Sequence, residues 1–288
     1  MPRLRIHHMA MRSSLAVAAG LLAGCARPIE LRPEIPPPTQ AGVPLTPLAR
    51  NVPNEAASHI LAVRLRLITL QLPLGASSGS EEIWSYLNEE GVAAGAASPL
   101  AYNGVRAGMG RENAWPDVAR VLTRLAGRTL QRSQLVTVPG STVPIVLQQF
   151  AEEQTIFIFR ADRTLFGRDY PPGDNVLMTA TGIDLDNPSS VRLSCTPLVR
   201  TTRRRNRYVQ TPTGYQLREE PDYLPIPELQ LGFTVPAGGF VLIGPGQEAQ
   251  RETSPGSRFL LRRQRGVPFE TILVIAPEVF TAPVRTRP

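Results

Sequence analysis

Catalysis needs nucleophiles, bases or metal ligands that can converge, and this chain carries few of them. Beyond its N-terminal segment the one histidine is His59. A single histidine with no neighbouring cysteine cannot complete a zinc tetrahedron. A Ser-His-Asp relay would need that same residue, and no Gly-x-Ser-x-Gly elbow accompanies it. Asp184, Asp186 and Asn187 space oxygen ligands as a calcium loop does, yet the further ligands are missing and Pro188 follows, so a plain turn is expected. Glu81, Glu82, Glu89 and Glu90 suit the solvated face of a helix better than a glycosidase pair held across a cleft. Gly104, Gly108 and Gly110 fall short of a phosphate cradle. All 31 basic residues are arginine, which removes the phosphate-loop lysine, the Schiff base and the Ser-Lys pair. No catalytic residue, metal site or cofactor is expected.

The chemistry that remains is charge. Arg203-Arg204-Arg205-Asn206-Arg207-Tyr208 is the densest basic run. Guanidinium groups hold phosphate or carboxylate in bidentate fashion, so Arg203, Arg204, Arg205 and Arg207 are candidates to bind lipid headgroups, acidic glycan or a partner's acidic patch. The competing reading is a solvated hairpin tip. The net charge is +7, but Arg3, Arg5 and Arg12 belong to a segment expected to be removed. That leaves about +4 on the remainder, too little to imply nucleic acid.

Cys25 and Cys195 are the only cysteines. Cys25 closes Leu22-Ala23-Gly24-Cys25, after a short apolar run from Leu15 and the positive region of Arg3, Arg5 and Arg12. This resembles the lipobox of bacterial lipoproteins. The resemblance implies cleavage after Leu22-Ala23-Gly24, a lipid on the Cys25 sulfur, and a body tethered to a membrane by its first residue. Ala26, in place of aspartate, favours the outer membrane, with the body in the periplasm. The apolar run is roughly ten residues, too short to span a bilayer, which needs about 20. With Cys25 lipidated, Cys195 has no disulfide partner.

The elements that would position these residues can be read in order. Residues 1–24 form the signal peptide and residues 25–58 a tether, where Pro28, Pro33, Pro36, Pro37, Pro38, Pro44, Pro47 and Pro53 favour polyproline II. Val63-Arg64-Leu65-Arg66-Leu67 alternates like a strand with one buried face. A helix is expected from Ser80 to Gly91, a glycine-rich strand or turn over residues 103–110, and a second helix from Asn113 to Gly127, with Pro116 in its first turn and Val118, Val121, Leu122 and Leu125 on one face. Residues 59–138 thus read as a small α+β domain. Residues 139–283 hold short β-type runs bounded by turn residues and read as a mainly antiparallel β domain, a sandwich or curved sheet, with 284–288 as a tail. Alternation along Val191, Leu193, Cys195 and Val199 places the thiol in the core.

Three stretches of this second half together resemble the β region of secretins, the outer-membrane channel proteins of bacterial export systems. They are residues 191–199, with their Thr196-Pro197 pair, residues 235–244, which turn through Gly238-Gly239 into an apolar strand, and residues 272–279. Between Gly246 and Thr271 the pattern departs: Arg258-Phe259-Leu260-Leu261-Arg262-Arg263 stands where secretins carry paired prolines and glycines. The chain also lacks room for a full set of ring domains. The resemblance implies a secretin-like β domain, and with the lipobox it implies a non-enzymatic envelope lipoprotein with a structural or assembly role near a secretion apparatus. Its expected partners are a protein of the envelope or export machinery and a second copy of the chain. The alternative is a binding module that uses the arginine run on acidic glycan or lipid headgroups.

Overall fold

The computed structural model describes residues 59–92, 97–126, 130–211 and 214–283. Cys25, the Leu22-Ala23-Gly24 site, the tether and the tail lie outside them.

Among the described residues, thirteen strands and three helices follow in order. They are β1 (His59–Pro73), α1 (Ala97–Tyr102), β2 (Val105–Gly110), α2 (Trp115–Ala126), β3 (Leu130–Thr137), β4 (Thr142–Phe150), β5 (Gln154–Phe159), β6 (Leu165–Tyr170), β7 (Gly173–Ile183), β8 (Val191–Thr211), β9 (Gly214–Pro225), β10 (Leu231–Val235), β11 (Phe240–Pro245), α3 (Pro255–Leu260), β12 (Leu261–Gln264) and β13 (Val267–Pro283). The expected antiparallel β architecture with a few helices is what forms.

The first sheet runs β2-β11-β13-β1-β3, with β12 added on β13, and the second runs β10-β8-β7-β4, with β9 added on β8. β5 and β6 make a separate hairpin. The two large sheets face each other across one core. Val63, Leu65 and Leu67 of β1 with Leu273 and Ile275 of β13 meet Leu177 of β7, Leu193 and Cys195 of β8 and Phe233 of β10. On its other side the first sheet is covered by α2, where Val118, Val121 and Leu122 pack on Leu70, Leu242, Ile272 and Val274. This third layer explains the unbroken apolar runs Phe240-Val241-Leu242-Ile243 and Ile272-Leu273-Val274-Ile275: both faces of β11 and β13 are buried, so neither needs a polar alternate. β1 alternates at its start because α2 does not reach that far.

The boundary expected at residue 138 does not divide the sheets. β1 pairs with β13 from His59↔Pro283 to Pro73↔Phe269, and β2 pairs with β11 from Phe240↔Gly110 to Pro245↔Val105. Strands from both expected domains therefore complete one sheet. A β-hydrophobic face must be covered wherever its partner lies in the chain, and sequence periodicity carries no record of which strand that is.

The helix expected from Ser80 to Gly91 is replaced by turns and one 3-10 turn, Trp84–Tyr86. Ser80 Oγ does accept from the Glu82 amide at 3.2 Å, as a cap would. Leu87 then turns extended, and Asn88 bridges Met109 at the outer edge of β2. Ile83 and Trp84 are both buried in the core on the α2 side of the first sheet. The second helix forms as expected, one turn of 3-10 helix (Glu112–Ala114) preceding it, and its expected Gly127 stop lies outside the described residues.

Two glycines show what the glycine-rich stretch is for. A Cβ on Gly110 would sit 2.2 Å from Phe240 Cζ, so β2 must be bare there for the ring to cross it. Gly104 has φ +71°, and a Cβ there would meet the Ala249 backbone nitrogen at 2.4 Å.

Candidate functional site

The arginine run lies on an arm, not at a hairpin tip. β8 outgrows the sandwich after Thr201 and continues with β9 as a two-stranded ribbon, in register from Arg204↔Pro221 to Thr211↔Gly214. Directly opposed residues share a face, and faces alternate along each strand. One face holds Arg204, Asn206, Tyr208 and Gln210 with Glu219, Leu217 and Tyr215, and the other holds Arg205, Arg207 and Val209 with Glu220, Arg218 and Gln216.

The four candidate arginines are thus divided between faces. Arg204 stands 3.8 Å from Glu219, and Arg205 reaches Asp222 at 3.1 Å. Among the described residues Arg203 and Arg207 make no ion pair. The second face sets Arg207 directly across from Arg218, a like-charge pairing that costs stability unless an anion lies between.

The first face carries what sequence reasoning missed. Tyr208 is 76% exposed, Tyr215 73% and Leu217 54%, so three large apolar side chains share one solvated face. β9 escaped notice because a ribbon with no buried face shows no contrast between alternate positions, and Glu219-Glu220-Pro221-Asp222 reads as a loop. The available signal was Tyr215-Gln216-Leu217, alternating just after a glycine.

The other candidates have structural surroundings. Arg106, on β2, holds Glu89 through Nε and Nη2 at 2.7 Å each and Glu81 through Nη1 at 2.8 Å, with its guanidinium 4.7 Å from the Trp84 ring centre. Burial alone would lower the Arg106 pKa, but hydrogen bonds and charge from Glu89 and Glu81 raise it. In return, the hydrogen bond to Arg106 holds the Glu81 carboxyl below its ordinary value. That is the wrong direction for a general acid, which must keep its proton at neutral pH. Glu82 pairs with Arg124 of α2.

Cys195 is fully buried on the inner face of β8, where Thr179 Oγ1 donates to its sulfur at 3.6 Å, and burial pushes the thiol up to about 12. A thiol that stays protonated is no nucleophile. Asp184, Asp186 and Asn187 lie in the β7–β8 turn, where Asn187 Oδ1 accepts from Ser189 Oγ at 2.6 Å and the Asp184 amide donates to the Ser190 carbonyl at 3.0 Å. His59 is exposed at the start of β1. Among the described residues no three His, Cys, Asp or Glu side chains gather as a metal site would require. No described helix is long and apolar enough to cross a membrane.

One buried carboxylate was not anticipated. Glu270 of β13 is fully buried, and the loop after β1 folds over it. Oε1 accepts from the Gly75 amide at 2.9 Å and from Ser78 Oγ, while Oε2 accepts from the amides of Ser77 at 2.6 Å and Ser78 at 3.2 Å. Trp84 Nε1 donates to the Ser77 carbonyl at 3.1 Å, tying the same loop to the α2 side. With its acceptor sites filled by three backbone amides and one hydroxyl, this carboxylate is an anchor for the loop.

The stretches that resemble secretins are brought together. Residues 191–199 open β8 beside β10, residues 235–244 carry the chain from β10 in the second sheet to β11 in the first, and residues 272–279 lie in β13, where Val241↔Ile275 and Ile243↔Leu273 pair with β11. Pro197 falls where the neighbour of β8 changes from β10 to β9, so its missing N–H interrupts no continuous ladder on that side.

No family model matches the chain, and no curated protein matches it. Among solved structures, it is similar to the InvG secretin domain β-barrel from the Salmonella SPI-1 injectisome, with 10% identity, TM-score 0.20, and coverage of 80% of this chain and 65% of that one. The Salmonella SPI-1 type III secretion injectisome secretin InvG gives 9% identity and TM-score 0.17 over 80% and 65% of the two chains. A chain of the Klebsiella pneumoniae type II secretion system outer membrane complex, which contains PulD, PulS and the PulC HR domain, gives 10% and 0.18 over 80% and 40%. The chain thus spans at most 65% of the length of these structures. The resemblance to secretin domains is distant.

Proposed function

We propose that the protein is a non-enzymatic, lipid-anchored component of the bacterial cell envelope with a structural or assembly role beside a secretion apparatus. The observation that carries this reading is the β8–β9 ribbon. It leaves the sandwich with Tyr208, Tyr215 and Leu217 on one solvated face, and exposed aromatic side chains are frequent anchors of a protein contact. The Leu22-Ala23-Gly24-Cys25 sequence supports the anchor, and the clustering of the three secretin-like stretches in β8, β10–β11 and β13 supports kinship with export proteins.

Two measurements test this. Replacing Tyr208 and Tyr215 by serine removes exposed side chains and should leave folding intact, while crosslinked assemblies recovered from envelope preparations fall at least severalfold. Unchanged crosslinking, or a wild-type protein that is strictly monomeric and captures no partner, overturns the assembly role. Cys25→Ser should shift the protein from the membrane fraction to the soluble one; equal partition of the two forms removes the anchor.

A second reading rests on Arg207 facing Arg218 across the other side of the ribbon. The pair would be relieved by an acidic glycan or lipid headgroup. Neutralising both to glutamine should abolish cosedimentation with phosphatidylglycerol vesicles or retention on an acidic polysaccharide column, and undiminished binding excludes it.

A further inference from the structure

A sheet edge that is left open is a template for another strand, and proteins usually blunt such edges. Three of the four ends of the two large sheets are blunted here. β2 is bare at Gly108 and Gly110 and is capped by the Asn88–Met109 bridge. β4 carries Pro144 and a register shift between Val146 and Gln148. β10 has only five residues.

The fourth end, β3, has none of these devices. Its eight residues pair with β1 alone, in unbroken register from Val63↔Thr137 to Leu70↔Leu130. Among the described residues no backbone hydrogen bond reaches its outer edge, so alternate N–H and C=O groups of Gln131 to Thr137 point outward unpaired.

Cavities flank this edge on both sides. On the α2 side, one of about 680 Å³ is lined by Arg66, Arg132 and Gln134 together with Trp115, Phe240 and Ile68. On the side of the second sheet, one of about 250 Å³ is lined by Ser133, Leu135, Pro144, Val146 and Thr271. The register explains the division: Arg132 and Gln134 share the face of Ile68 and Arg66, whereas Leu135 packs into the core between the sheets. Thr271 Oγ1, in a residue only 2% exposed, has no hydrogen-bond partner.

A strand laid along β3 would send successive side chains alternately into these two spaces, since its side chains alternate faces and those on one face recur every ~6.6 Å. The charge at the larger space selects the occupant. Arg132 makes no ion pair among the described residues, and Arg66 has only Glu278 at 3.9 Å. Glu112 is the one carboxylate lining the cavity. Two copies of this chain pairing β3 to β3 would bring Arg66 and Arg132 of both onto a single face, a like-charge arrangement that opposes self-pairing.

We propose that the outer edge of β3 and its two flanking cavities form a docking site for an extended, acidic segment of a partner protein, which adds as a further strand. An acidic side chain faces Arg132, an apolar one packs toward Trp115 and Phe240, and small side chains enter the space near Thr271. This site is separate from the ribbon face, and it stands or falls without the assembly role argued above.

The test uses the full chain and a fluorescein-labelled hexapeptide, Glu-Thr-Val-Thr-Glu-Thr, whose glutamates and valine share one face and whose threonines share the other, beside a control with lysine for glutamate. Fluorescence anisotropy reads binding, and backbone hydrogen exchange locates it. The glutamate peptide should bind at least tenfold more tightly than the lysine peptide, with new protection at amides of β3. Arg132→Glu, a change at an exposed position whose fold is checked by far-ultraviolet circular dichroism, should invert the preference. Absence of peptide-dependent protection on β3 at about 1 mM peptide, equal binding of the two peptides, protection confined to the ribbon, or concentration-dependent protection of β3 without peptide would each overturn the proposal.

Discussion

Replacing Glu270 by glutamine keeps the volume of the side chain and changes only what it offers the loop above it. The carboxylate accepts from four donors: the amides of Gly75, Ser77 and Ser78 and the Ser78 hydroxyl. Glutamine supplies one oxygen. In either orientation its NH2 group faces two of those donors, in a site where Glu270, Ser77 and Ser78 are buried and the Gly75 amide is partly so. A hydrogen bond to a charged acceptor contributes about 1.5–3 kcal/mol, and a stranded buried donor carries a similar penalty. Allowing for relaxation of the loop, Glu270→Gln should cost about 3–5 kcal/mol, a factor of about 10²–10⁴ in the unfolding equilibrium. Urea unfolding in a Trp115→Phe background would follow Trp84, which is bonded to the same loop through the Ser77 carbonyl. Hydrogen exchange at Gly75, Ser77 and Ser78 should accelerate in parallel. A loss under about 1 kcal/mol with unchanged exchange at those three amides would show that the carboxylate does not hold the loop.

Two further outcomes follow from packing and protonation. Cys195 should resist thiol reagents until the protein unfolds. Its folded pKa, about 12, lies above the value of 9.0 for a free thiol, so the folded state keeps a proton that the unfolded chain releases. The resulting stability is complete below pH 9 and is lost as pH rises toward 12, by at most about 1.4 kcal/mol per pH unit. Cys195→Ala should flatten that slope in urea titrations, and an unchanged slope would refute the assignment. Gly256→Ala would place a Cβ 1.9 Å from the Gly104 carbonyl oxygen, a contact between two backbones that no rotamer relieves. Its cost should exceed about 3 kcal/mol in thermal or urea melts, and a near-native midpoint would contradict the close approach.

The parts of this molecule that sequence reveals are those with a buried face and a local signal. β1, α2, β4, β5 and the start of β8 show the period that burial imposes, and Cys195 lies where alternation puts it. The joining of β1 to β13 has no such signal, because the two strands lie about 200 residues apart and either could have served another sheet. The site was legible only as composition. Arg203 to Arg207 stand out as a charge run, but their division between two faces depends on β9, a strand without a buried side. The open edge of β3 was equally invisible: an edge is defined by the absence of a neighbour, and Gln131-Arg132-Ser133-Gln134 reads as an ordinary polar strand. Glu270 shows a third kind of silence, since its four partners come from backbone amides and one hydroxyl that no residue type announces.

The pairing of β1 with β13 also sets the order in which this chain can fold. β1 is the first described strand to leave the ribosome and can pair early with β3, about 60 residues behind it. Its other edge waits for β13, the last. Until then Leu65, Leu67, Leu70 and Leu72 line a half-made sheet, and the α2 layer rests on a floor that lacks Ile272 and Val274. Contacts between strands so distant in sequence slow folding and prolong the life of a sticky intermediate. Nascent chains of this protein therefore carry an uncovered β1 edge until β13 arrives, and truncations that remove β13 should aggregate rather than yield a smaller folded domain.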